Sequence, residues 1–379
     1  MKTIILRFVS LLIVMTLVIL PHAATALAMD NTSVDDSAFY VEKSSREDFT
    51  ILQFTDLHIQ SKLHGESNVF PHMRKWVATE NPDMIVITGD GVNGTADNSD
   101  MKALIDEMNS YGIPWTYVFG NHEKDGAGIA SLSKLLEAES ANNPLLMYHE
   151  GNFANEGRYG NYIVNIMQKN KLIYTLFFMD SGREYETFLP SQTKWYAQNV
   201  KYLSQEYCGK FAPFEGCVIP SMVFHHIPTD EYQYAANSVL KTKFNDGKYT
   251  YQHAMVGKVP NGMGYGTNNE VAYGQRDDID KNARIHHTQT DKALVEYSMY
   301  TDPRSEAGFV SMAKDLHSTT HMFCGHRHSN DATIYFEGIT YTFGTKTGKG
   351  NSTNAKQMGS TTIVIENRTN QVTVKHNYD

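Results

Sequence analysis

Cysteine is almost missing from this chain: Cys208, Cys217 and Cys324 are the only three in 379 residues. That scarcity excludes a disulfide scaffold. In an oxidising compartment Cys208 and Cys217 can close a small surface loop. Cys324, at the end of an apolar strand, reads as a buried free thiol. Positive charge is short as well. With 33 Lys and Arg against 42 Asp and Glu, the formal net charge is −9. A general nucleic-acid binder would usually carry a basic stripe, so that class is disfavoured. Beyond residue 28 no apolar run is long enough to span a bilayer. Internal repeats and domain linkers are absent too. What remains is a globular composition, 41% apolar and 20% charged, in a chain long enough for a large core.

The first residues stand apart. Lys2 and Arg7 flank the start of an apolar run over residues 4–20, and Pro21 follows. Ala24-Thr25-Ala26 and Ala26-Leu27-Ala28 are small-x-small cleavage candidates. Residues 1–28 therefore read as a secretory signal peptide, with an uncleaved anchor as the alternative. A secreted or extracytoplasmic protein without a stable membrane anchor is expected. No cysteine follows the run, which argues against a bacterial lipid anchor. Residues 29–46 read as a flexible polar lead-in, and residues 47–379 as a single domain. Four glycosylation acceptor patterns, at Asn31, Asn93, Asn351 and Asn367, matter only in a cell that glycosylates.

Within the domain, short apolar runs end in polar residues. The run over residues 115–119 ends in Gly120-Asn121-His122-Glu123. Gly120 is expected to supply the turn. The run over 49–55 precedes Asp56-Leu57-His58, and 84–88 precedes Gly89-Asp90-Gly91. The runs over 221–224 and 320–324 precede His225-His226-Ile227-Pro228 and Gly325-His326-Arg327-His328. Strand 173–179 delivers Asp180, which suits an orienting or a turn-capping role equally. Each motif alone fits a polar turn after a core strand. Helical patterns fill residues 69–81, 101–111, 131–139, 193–205 and 306–316. Trp195 and Tyr202 are expected on the inner face of the fourth. The order βαβαβ at the front predicts a mainly parallel sheet, and the β-rich tail suggests a second one. Residues 229–300 read as a long insertion, and His286-His287 within it as surface residues.

Taken together, five strand ends offer two carboxylates, an amide and several imidazoles, with no cysteine among them. That set suits Zn, Fe or Mn, with too many ligands for one tetrahedral ion. The ordered set D-x-H, G-D, G-N-H-E, H-x-P and G-H-x-H strongly resembles the signature of the calcineurin-like metallophosphoesterase superfamily. The resemblance runs from about residue 52 to His328. It implies an α/β fold, a four-layer αββα sandwich of two mixed β-sheets flanked by helices. It also implies two divalent or trivalent metal ions. Asp56, His58 and His328 would hold the first, Asp90 would bridge, and Asn121, His226 and His326 would complete the second. His226 rather than His225 matches the H-x-P pattern. His122 would be the catalytic histidine and hold no metal, while Glu123 has no assigned chemistry beyond orienting or capping.

Departures narrow the resemblance. The D-R-G element of serine/threonine protein phosphatases is missing after Asp90. Purple acid phosphatases carry a tyrosine ligand where Asn93 stands, so no tyrosinate–iron chromophore is expected. The chain looks most like the purple-acid-phosphatase-like branch lacking that tyrosine. The implied activity is hydrolysis of a small phosphate ester by a two-metal-activated hydroxide, with His122 as general acid. A phosphomonoesterase is favoured slightly over a phosphodiesterase. A catalytically silent binding relative is the alternative from another class. Nucleic acid is not an expected partner, and the oligomeric state is open.

Overall fold

The computed structural model describes residues 38–60, 69–93, 98–125, 128–183, 186–209, 217–232, 308–328, 333–349 and 358–379. It also describes Ala235, Asp331 and the backbone of 241–243, 249–251 and 272–273. The signal peptide, the lead-in as far as residue 37, Asn31, Asn351 and His286-His287 lie outside the described residues. In chain order the strands are β1 (Phe39–Glu42), β2 (Phe49–Phe54), β3 (Met84–Thr88), β4 (Trp115–Val118) and β5 (Tyr162–Gln168). There follow β6 (Lys171–Phe178), β7 (Ser221–Phe224), β8 (Lys241–Lys243), β9 (Tyr249–Tyr251) and β10 (Ala272–Tyr273). The last are β11 (Thr319–Cys324), β12 (Thr333–Phe336), β13 (Ile339–Phe343), β14 (Gly359–Ile365) and β15 (Val372–Tyr378). The helices are α1 (Val69–Glu80), α2 (Ser99–Ser110), α3 (Ile129–Asn142), α4 (Pro190–Cys208) and α5 (Phe309–Leu316).

Two mixed sheets carry the site. One has five strands in the order β15-β14-β2-β3-β4, the other eight in the order β1-β5-β6-β7-β11-β13-β12-β10. In the first, β2, β3 and β4 run parallel. In the second, β6, β7, β11 and β13 do. Within each parallel set the carboxyl ends therefore emerge on one side. α1 packs on β2 and β14, while α4 and α5 pack on each other and on β6 and β11. This is the αββα sandwich.

The apolar runs are continuous because the larger sheet is buried on both faces. Successive side chains alternate between two cores. Leu176, Phe178, Met222, Phe224 and Phe323 enter one cluster, shared with β2, β3 and β4. Phe177, Met179, Val223, Met322 and Cys324 enter another, against Trp195 and Phe309 of α4 and α5. Across neighbouring strands Tyr162, Phe178, Phe224 and Phe323 stack in a row, with ring centroids 4.9–5.2 Å apart. The polar loops that follow Phe224 and Phe323 thus start from a rigid base.

Three expectations need correction. Phe39–Glu42, inside the supposed lead-in, is a strand paired in parallel with β5. Phe39 and Val41 turn inward against the core and Tyr40 is exposed, an alternation too short to stand out in the sequence. The tail does not form a sheet of its own. β12 and β13 join the larger sheet, whereas β14 pairs with β2 and β15 with β14. Tyr202 is 43% exposed rather than inward. Leu203 takes the inner position there, against Leu172 and Ile219. In the predicted insertion, β8 pairs antiparallel with β9, and β10 pairs with β12.

Candidate metal centre

Every predicted ligand sits just past a strand: Asp56 and His58 after β2, Asp90 after β3, Asn121 after β4, His226 after β7, His326 and His328 after β11. Both sheets contribute. Two groups of donors form. Asp56, His58, Asp90 and His328 bring ligand atoms within 4.8 Å of one another, and so do Asp90, His226 and His326. Asp90 belongs to both.

The spacings are those of ligands around an ion. His58 Nε2 and His328 Nε2 are 3.1 Å apart, and His328 Nε2 is 3.2 Å from Asp56 Oδ1. In the second group, His226 Nε2 lies 3.1 Å from Asp90 Oδ2 and 3.2 Å from Asn121 Oδ1. His326 Nδ1 is 3.0 Å from the same amide oxygen. Ligands at about 2.0–2.1 Å from a tetrahedral ion stand roughly 3.3 Å from each other. Buried imidazole nitrogens and carboxylate oxygens converging in this way fit two cations of the Zn, Fe or Mn type.

The protein fixes these donors from behind. His226 Nδ1 donates to the Thr88 carbonyl at 2.8 Å, which leaves Nε2 to face Asp90. Thr55 Oγ1 donates to Asp56 Oδ2 at 2.8 Å, and the His326 amide donates to the same oxygen at 3.0 Å. The His122 amide donates to Asp90 Oδ1 at 2.9 Å. Beneath, Gln53 Nε2 bridges the sheets by donating to Thr88 Oγ1 and to the Cys324 carbonyl.

Backbone conformation shows what the site requires. Asp56, His58, Asp90 and His326 all have left-handed backbones, with φ between 49° and 69°. Such residues cost on the order of 1–3 kcal/mol each and concentrate at functional sites. Gly120 is a different case: its φ is not in the left-handed region. Its role is space, since a Cβ there would lie 2.2 Å from Asp90 Oδ1 and 2.8 Å from His226 Cδ2. The turn expected of it is made without glycine's special backbone freedom.

Electrostatics follow from burial and pairing. Burial would raise the Asp56 carboxyl, but the hydrogen bond and charge of His328 hold it well below the usual range. Asp90 is likewise held low against burial, chiefly by His226. Burial pushes His58 down to about 3 and His326 down as well, keeping both neutral. Burial also opposes charge on His226, yet Asp90 overrides it and raises the imidazole to about 9.

His122 stands beside both groups and in neither. Its Nε2 is 3.9 Å from Asp90 Oδ2, and its Nδ1 donates to Asp125 Oδ2 at 2.5 Å. His225 faces away, as alternation predicts, with Nδ1 donating to the Ile227 carbonyl. Asp180 is buried in an ion pair with Lys124 and accepts the amides of Tyr159 and Gly182. It braces the His122 turn and touches no predicted ligand in these contacts.

Sequence reasoning missed two residues. Asp125 completes the His122 pair, three positions on in the same turn. Lys346 is buried, donates to the Asp56 carbonyl at 2.9 Å and is lowered by burial to about 8. No local signal marks it; its segment reaches the site because the Thr347 amide donates to the Thr55 carbonyl. Glu123 is fully buried beneath Asp90.

Similar proteins are known. An Arabidopsis thaliana protein named "Probable inactive purple acid phosphatase 29" is 28% identical over 227 residues, 49% of this chain and 55% of its own length. A second, "Probable inactive purple acid phosphatase 14", is 27% identical over 48% of this chain and 54% of its own length. The chain thus spans about half the length of the curated relatives it matches. Among solved structures, a dimetal phosphatase from Danio rerio covers 88% of this chain and 100% of its own, at 11% identity and TM-score 0.47. GAP50 of Plasmodium, described as the anchor in the inner membrane complex, covers 88% and 90% at 12% identity and TM-score 0.41. The family model for calcineurin-like phosphoesterases matches residues 49–249. Those residues hold four of the five motifs, and the fold brings the fifth, His326 and His328, to the same place. The chain belongs to the calcineurin-like phosphoesterase family.

Proposed function

We propose that this protein is an extracytoplasmic two-metal phosphoesterase acting on small phosphate esters, monoesters ahead of diesters. The observation that carries the reading is the pair of buried donor groups sharing Asp90. Asp56, His58 and His328 would hold one cation, Asn121, His226 and His326 the other, and Asp90 would serve both. Bound there, two such ions acidify water and neutralise phosphate charge. The chain's own residues supply the rest. His122 presents Nε2 toward the Asp90 side of the site and delivers its proton to the leaving oxygen. Asp125 holds the opposite nitrogen of the ring. Acid catalysis of this kind contributes about 10²–10⁴-fold. The disulfide Cys208–Cys217, with Cα atoms 5.8 Å apart, supports an extracytoplasmic location. No helix among the described residues is long and apolar enough to cross a membrane. The net charge of −9 supports a small substrate over nucleic acid.

A second reading has its own observation: the Arabidopsis relatives carry "inactive" in their names. Under it the same site binds metal and phosphate without turnover. A paired assay of para-nitrophenyl phosphate and its bis-ester separates the readings, with metal analysis of wild type and Asp90→Ala. Hydrolysis and metal that both vanish in the variant support the enzyme. Wild type that holds two metals and hydrolyses neither ester supports the silent protein. A variant that keeps both metal and activity sinks the site.

A further inference from the structure

Glu123 closes the run Gly120-Asn121-His122-Glu123, yet it faces away from the ligands. Its carboxylate is buried and receives donors from the loop after β3, from the turn after β4 and from β4 itself. Oε2 accepts the Gly120 amide at 2.7 Å and the Asp90 amide at 3.2 Å. Oε1 accepts the Tyr117 hydroxyl at 2.6 Å and the Val92 amide at 3.1 Å. Four donors therefore surround one carboxylate, two on each oxygen. The residues so gathered are the bridging aspartate, its neighbour across the loop, and the glycine before Asn121.

We infer that Glu123 is the positioning residue of the bimetallic site, a buried anion that fixes the Asp90 loop to the Asn121 turn so that both donor groups form. This deepens the two-cation reading and rests on it. The contact pattern explains why glutamate stands there. A glutamine has the same shape, but its amide nitrogen would face two donors in either orientation. An aspartate is one methylene shorter and cannot reach both loops from the same backbone. Asp90 itself has a left-handed backbone with φ 51°, a conformation that needs external support. Glu123 supplies that support through the Asp90 amide itself.

The test uses metal affinity rather than turnover. Full-length wild type, Glu123→Gln and Tyr117→Phe are stripped with a chelator and titrated with Zn²⁺ against a chromogenic competitor. The melting temperature is recorded with and without metal. Residues behind metal ligands typically change affinity by about 10–100-fold, and that loss is expected for Glu123→Gln. Tyr117→Phe keeps three of the four donors and the ring packing, so a smaller loss of at least about twofold is expected. It decides the matter if Glu123→Gln does not fold. The rise in melting temperature on adding Zn²⁺ should shrink in the same order. A folded Glu123→Gln with wild-type affinity for two equivalents overturns the inference, even if its metal-free melting temperature falls. If only Tyr117→Phe folds, its unchanged affinity does so. Wild type that binds no Zn²⁺, Fe or Mn overturns the two-cation reading instead.

Discussion

Asp90 and His226 meet across the two sheets, Oδ2 to Nε2 at 3.1 Å, and in the metal-free protein this contact holds a proton. The imidazole is raised from 6.5 to about 9. A group raised on folding contributes stability that is complete below its unfolded value and lost as pH climbs through its folded value. The chelated protein is therefore expected to lose stability from pH 6.5 upward. Lys346 acts in the opposite sense. Lowered from 10.5 to about 8, it adds stability as pH rises between those values. The clearest fall thus lies between pH 6.5 and about 8. Melting temperatures of chelated and metal-loaded protein over that range check it, and only the chelated form should show the slope.

The His122 turn should separate catalysis from metal binding. His122→Ala is expected to lower kcat by about 10²–10⁴-fold with metal content unchanged. Asp125→Asn keeps the ring but weakens its orientation through Nδ1, so a smaller drop in kcat with little change in KM is expected. Equal activity of His122→Ala and wild type would remove the catalytic role.

Gly120→Ala is expected to damage the site as much as loss of a ligand. Its Cβ would lie 2.6 Å from the Asp90 amide and 2.2 Å from the Asp90 carboxylate. Overpacking of this kind typically costs about 1–3 kcal/mol. Denaturant unfolding and metal analysis should show lower stability and lost metal together. Stability lost with full metal content would contradict the close approach.

Lys124 and Asp180 form a buried pair, with side chains 2% and 0% exposed. Lys124→Met strands the aspartate. Breaking such a pair from one side costs about 3–5 kcal/mol. A fall in unfolding free energy of that order, read from urea denaturation, is expected, with kcat lowered because the neighbouring His122 turn loosens. A midpoint unchanged from wild type would show that the pair is balanced by its backbone donors alone.

Reduction of Cys208–Cys217 should act on stability alone. The bridge closes a short loop, with a sequence separation of 9, and that loop contains none of the ligands. Chain-entropy arguments put its contribution at about 2–3 kcal/mol. A lower melting temperature in reductant with intact metal content is the expected result.

Much of the site was legible because chemistry and local structure coincide in short motifs. A buried strand reads as an apolar run, and the polar residues after it are few enough to name. Asp56, His58, Asp90, Asn121, His122, His225, His226, His326 and His328 became candidates on that basis, and the family resemblance chose the ligands among them. The paired role of Glu123 and the buried lysine at 346 could not. Nothing local distinguishes a glutamate that gathers four donors from one that caps a turn. Lys346 is 290 positions from the carbonyl it contacts.

What the sequence by itself determined is the set of candidate ligands and the strands that carry them. Apolar periodicity and turn residues act over a few positions. What only the tertiary structure decided is who meets whom. Strand pairing places β14 beside β2, puts Phe39–Glu42 at a sheet edge and brings the two sheets' carboxyl ends to one point. There the hydrogen bonds from His226 to Thr88 and from His326 to Asp56 cross from one sheet to the other. Such contacts depend on how two packed surfaces meet, and no window of sequence contains both partners.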